Sequence, residues 1–205
     1  MSRLRAVSSG PAPMSRMDSG GVDGNERLTS ATAVVLVVLL AALGVTILSI
    51  GPLIWWHVLL GMLLIPPVLL KLGSTGWRLV RYYGGADEYV SRGPPLLLLR
   101  LLAPLVVAAT LAVFATGIAL LAVGPGGGFV LGLHKASFVV WLAVTGVHVL
   151  AHARRLLPSG PVPGGRLRLL LLGGTIVAGA VLAIATVRYA HPWGHWFAAN
   201  HEDGG

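Results

Sequence analysis

Residues 127–156 read GGFVLGLHKASFVVWLAVTGVHVLAHARRL. This is one long apolar run, and as a helix it is long enough to cross the roughly 30 Å hydrocarbon core of a bilayer. It carries His134 and His148, fourteen residues apart. Fourteen residues of α-helix rise about 21 Å and leave the two imidazoles about 40° apart around the axis, on roughly one face. A second apolar run carries His57 and, fourteen residues later, Lys71. Ionisable groups inside apolar spans are rare and usually functional, so these four positions organise the rest of the reading.

The composition agrees with a membrane setting. Of 205 residues, 55% are hydrophobic and 11% charged, too little polar surface to coat a soluble globule of this size. The absence of cysteine excludes disulfides, thiolate metal sites, iron–sulfur ligation and covalent haem attachment. The net charge of +8 would point to nucleic acid in a soluble chain, but here the arginines are explained by membrane topology, and no nucleic-acid partner is expected.

Five runs approach the twenty or so residues a span requires, at about 31–51, 53–72, 97–123, 129–152 and 168–190. The expected fold is all-α and integral to the membrane, a bundle of five transmembrane helices. Residues 1–29, rich in Ser, Gly, Pro and Arg, are expected to be a disordered cytoplasmic tail with no signal peptide, 30–190 the transmembrane domain, and 191–205 an extracytoplasmic tail. Pro66 and Pro67 are expected to kink the second span. Arg3, Arg5, Arg16 and Arg27 lie in the tail, Lys71, Arg78, Arg81, Arg92 and Arg100 flank the first long loop, and Arg154, Arg155, Arg166 and Arg168 flank the second. Only Lys135 and Arg188 fall near the other side, so the positive-inside rule puts the N-terminus in the cytoplasm. Trp55, Trp56, Trp193 and Trp196 then become anchors at the outer interface.

With that topology His57 and His134 each lie a few residues after a span enters from outside. At equal depth on helices running the same way, two imidazoles can supply both axial ligands of a haem, which without cysteine must be b-type. The plainer alternative makes His57 an interfacial residue and pairs His134 with a carbonyl. Lys71 and His148 share a deeper level, where three readings stay open. Lys71 snorkels to the cytoplasmic interface, or it neutralises a haem propionate, or a second haem uses His148 with another group such as His152, which lies one turn further along. Gly44, Gly61, Gly117 and Gly146, in four different spans, allow close approach of a helix or a macrocycle.

The tail RYAHPWGHWFAANHEDGG holds His191, His195 and His201, a candidate transition-metal or docking segment, although Pro192 and Gly194 argue against a helix that would bring His191 and His195 to one face. The loop WRLVRYYGGADEYVSRGPP reads as a topology element in contact with anionic lipid. No hydrolase, metalloprotease or nucleotide-binding pattern occurs in a suitable context.

His57, His134 and His148, with the stretch HKASFVVWLAVTGVHVLAH, resemble the prokaryotic membrane-bound cytochrome b superfamily, the haem-bearing membrane subunits of formate dehydrogenases, hydrogenases and molybdopterin oxidoreductases. The resemblance is clearest over the second to fourth spans, and Lys71 departs from the four-histidine set. It implies one or two b haems, electron relay between the quinone pool and an extracytoplasmic redox protein, and a multi-pass location in the plasma membrane of a prokaryote. The alternative is a cofactor-free membrane anchor or assembly subunit. A third possibility is a metal- or solute-handling protein that uses the histidine tail.

Overall fold

The computed structural model describes residues 22–91, 97–156 and 166–202, with described side chains at 24–91, 101–151 and 166–200. The regular structure among them is helical: α1 (Val22–Leu48), α2 (Ile50–Tyr83), α3 (Asp87–Val90), α4 (Leu97–Val123), α5 (Gly128–Leu156), α6 (Arg166–Thr186) and α7 (His191–Glu202). A single 3-10 turn, Val187–Ala190, joins α6 to α7. Five stretches are long and apolar enough to cross a membrane: Gly24–Leu48, Ile50–Tyr83, Leu101–Val123, Gly128–Ala151 and the joined Arg166–Asn200. Their outward faces carry side chains that a water-soluble bundle would bury, with Leu48 84% exposed and Leu150 75%. A continuous apolar exterior of this kind suits lipid.

Small residues and threonines make up much of the interior. Ala183 is 1% exposed, and Thr32, at 0%, satisfies its hydroxyl by donating to the Leu28 carbonyl at 2.8 Å. Central to the bundle is α2, with α1 along one side and α6 along another, while α4 and α5 form a hairpin that meets the other spans at only a few places. Buried Gly179 of α6 lies directly on the Leu63 carbonyl of α2, the close backbone approach that a missing side chain permits. The turns α1–α2, at Ser49, and α4–α5, at 124–127, lie with α7 at one end of the bundle, the turn end. Gly124 takes φ 69°, the left-handed conformation that glycine adopts without strain, and its N–H donates to Leu120 O at 3.0 Å to close α4.

Three boundaries differ from expectation. Helix α1 begins at Val22, inside the segment expected to be tail, and α2 runs on to Tyr83, where Gly84 and Gly85 end it. Helical assignment continues through Pro66 and Pro67, and Pro67 is fully buried. The third difference is the expected irregular C-terminal tail, which is helix α7 from His191 to Glu202. Pro192 falls in its first turn, where a missing N–H leaves no intrahelical bond unmade. Trp193 then locks the helix down, 4% exposed among Ile54, Val58 and Leu120, with Nε1 donating to Leu120 O at 3.2 Å. Trp193 is therefore a core residue and not a surface anchor, whereas Trp56, at the same end, is 58% exposed.

Candidate functional site

His57 lies in the second turn of α2 and His134 in the second turn of α5, each just past a hairpin turn. Both are half-buried. Each ring meets a threonine from the preceding helix of its own hairpin. His57 Nδ1 is 2.8 Å from Thr46 Oγ1 of α1, and His134 Nδ1 is 3.0 Å from Thr116 Oγ1 of α4.

The two contacts suit the same tautomer. A threonine hydroxyl carries one proton. Thr46 directs it at the Leu43 carbonyl of its own helix, and Thr116 directs it at the Ala112 carbonyl at 2.7 Å. With the hydroxyl protons so directed, each oxygen would face its imidazole as an acceptor, which would place the ring proton on Nδ1 and leave Nε2 its lone pair. Ser137 is consistent with this assignment: it donates to His134 O at 2.9 Å, leaving the Thr116 oxygen to the ring. The Val113 carbonyl, 3.2 Å from the Thr116 hydroxyl, is a further acceptor beside His134. Both threonine contacts are made at Nδ1, the nitrogen turned away from Nε2. An imidazole with Nδ1–H engaged and Nε2 turned to the metal is the arrangement in which histidine binds one, with the second hydrogen bond holding the ring and raising its basicity.

Of the four glycines singled out in the sequence, Gly117 alone sits against a neighbour. A Cβ there would be 3.1 Å from Cε1 of His134, so the bare Gly117 backbone seats that ring. At Gly44, Gly61 and Gly146 an added Cβ would meet nothing within 4 Å. Gly61 is one turn beyond His57 on the same face, and the space directly over Gly61 is open.

The other expected positions lie elsewhere. Lys71 Nζ donates to the Thr29 carbonyl of α1 at 2.8 Å, within a polar knot in which Thr29 Oγ1 donates to Ser74 Oγ and Asn25 Nδ2 to Ser74 O, both at 3.0 Å. This knot fastens α1 to α2 at the end opposite the turn end. His148 is half-buried three turns and more along α5 from His134, one turn past Thr145, whose buried Oγ1 has no hydrogen-bond partner among the described residues. His152 continues α5, and its side chain lies outside the described residues. No group of three His, Asp or Glu converges on a metal position among the described residues; a bis-histidine haem requires only two.

The threonines were the part of the site that sequence reasoning missed. At the turn end α7 covers the core next to His57, and His191 and His195, expected to be kept apart, both line one groove there with Trp55. The chain matches no protein-family model, no curated protein and no solved structure.

Proposed function

We propose that the chain is an integral membrane protein with its N-terminus in the cytoplasm, and that it holds a b-type haem between His57 and His134 as an electron-relay subunit. The observation that carries this reading is the matched pair of threonine–histidine contacts at Nδ1, which would leave two Nε2 atoms from two different hairpins to ligate. The donor set fits haem, whose iron takes two imidazoles, and the open space beside Gly61 and the sparse contact between the α4–α5 hairpin and the other spans are compatible with a flat group between them. Orientation follows the positive-inside rule: Lys71, Arg78, Arg81, Arg166 and Arg168 lie towards the end opposite the turns, against Lys135 and Arg188 near the turn end.

When bound, haem supplies a one-electron couple. The protein's part is to hold and tune it. His57 and His134 would bind through Nε2, Thr46 and Thr116 would keep both rings in the required tautomer and orientation, and the Trp193 plug would keep water from the turn-end side. On this reading the site lies near the outer surface, placed for exchange with an extracytoplasmic redox protein, with quinone as the membrane-side partner. A prokaryotic plasma membrane is the setting this assignment implies.

The test is a dithionite-reduced minus air-oxidised visible spectrum of the detergent-purified protein expressed with ample haem, together with a pyridine haemochrome assay. Sharp b-type α and Soret bands at stoichiometric haem are expected. A folded, haem-free protein would overturn the reading and favour a cofactor-free anchor, in which the Thr–His pairs act only as interhelical polar contacts.

A finer prediction concerns the threonines. Thr46→Val and Thr116→Val keep side-chain shape but remove the acceptor at Nδ1. Each is expected to weaken haem affinity by roughly 10–100-fold, as measured by transfer of haem to apomyoglobin, because outer-shell partners of metal-bound histidines have effects of that size. Unchanged transfer rates in both variants would show that the threonines do not orient the rings.

A further inference from the structure

We propose that His191 and His195 form a two-point site for a divalent transition-metal ion of the zinc–copper class, at the groove between α7 and the start of α2. The site is independent of haem.

The first support is that α7 is a helix from His191 onward, so residues four apart fall on one face with Cβ atoms about 5–6 Å apart, within the span of a single ion held by two imidazoles. The second is that both histidines are exposed and line the same open groove, of about 430 Å³, together with Trp55, Gly194 and Phe197. Gly194 leaves this groove free: a Cβ there would come within 3.3 Å of Trp55 Nε1.

The third is preorganisation. The His191 ring stands edge-on to Trp55, with centroids 4.4 Å apart and planes at 85°, so its freedom is already reduced before an ion arrives. Helix α7 itself is held by buried Trp193, and a pair on a fixed element chelates better than one on a loose tail.

The chemistry of the donors selects the ion. Imidazole nitrogens suit zinc, copper and nickel, and with copper the strongest binder of the divalent series the expected order is Cu²⁺ above Zn²⁺. No third His, Asp or Glu joins the pair among the described residues, so the remaining coordination positions go to water or to a group from outside. The positive N-terminal end of α7 opposes a cation, so the site should be weaker than a closed three-ligand centre and freely exchangeable.

The experiment uses the full-length protein in detergent without a polyhistidine tag. CuCl₂ binding is followed by electron paramagnetic resonance and ZnCl₂ binding by calorimetry. One equivalent of each ion is expected, with nitrogen hyperfine structure from two imidazoles. His191→Ala and His195→Ala should each weaken binding by at least roughly tenfold and reduce the pattern to one nitrogen, while His201→Ala leaves it unchanged. His195→Gln, checked by circular dichroism, supplies the same ligand loss if the alanine variant fails to fold. Binding to His191→Ala/His195→Ala as tight as to the wild type, or a two-nitrogen signal that survives in it, would overturn the proposal. Because zinc calorimetry does not read haem iron, the zinc result is the same whether or not haem is present.

Discussion

His57→Ala and His134→Ala are each expected to remove from the purified protein the whole b-type signal of the haem held between them, and to do so equally. Haem held between the two histidines would depend on both rings. Any haem that remains should lack the sharp low-spin α band. The structure supplies the reason for expecting equal effects, because the two histidines have equivalent surroundings: half-buried, in the second turn of their helices, with Nδ1 on a threonine of the adjacent helix. His148→Ala is the internal comparison. It should leave the spectrum intact if one haem is bound, and remove about half the absorbance if His148 serves a second. His134→Gly with added imidazole separates ligand loss from misfolding. The ring seat at Gly117 remains, so free imidazole should restore part of the α band. Full haem content in His57→Ala would sink the assignment.

The spans could be read from the sequence because span length and hydrophobicity are properties of single segments. The places of His57 and His134 early in their helices, each just past a turn, were also accessible. Thr46 and Thr116 were not accessible. Thr46 precedes its histidine by eleven residues and Thr116 by eighteen, because the intervening turns differ in length, so no common spacing marks the pair. Nor is a threonine in an apolar helix distinctive. Thr32 and Thr186 also bond their own helix carbonyls, at 2.8 and 2.7 Å, without meeting any histidine. What distinguishes Thr46 and Thr116 is the register of two packed helices, a tertiary property. Helix α7 was misread for a related reason. Pro192 and Gly194 lower intrinsic helix propensity, but the burial of Trp193 and its bond to Leu120 O outweigh that local preference.

The second large effect concerns the fold. Gly179→Ala is expected to destabilise the protein, and Gly179→Leu to do so more strongly. A Cβ at this position would fall on the Leu63 carbonyl oxygen and 3.1 Å from its carbon. That carbonyl belongs to the backbone of α2 and cannot rotate aside as a side chain would, so the two helices must part. The crossing is the main attachment of α6 to the other spans, and separation there also strips contacts from buried Ala183 one turn away. Overpacking of this kind costs about 1–3 kcal/mol, and each kcal/mol lowers the midpoint of a chain this size by roughly 2–4 °C. Gly173 and Gly174, on the same helix, are the controls. Added Cβ atoms there meet nothing within 4 Å, so Gly173→Ala and Gly174→Ala should be neutral or slightly stabilising. Thermal unfolding of the haem-free protein makes the comparison cleanly, since Thr116→Val should affect haem transfer far more than this midpoint, whereas Gly179→Ala lowers the midpoint with haem or without it. Equal midpoints for Gly179→Ala and Gly173→Ala would mean that α2 and α6 do not cross at Leu63.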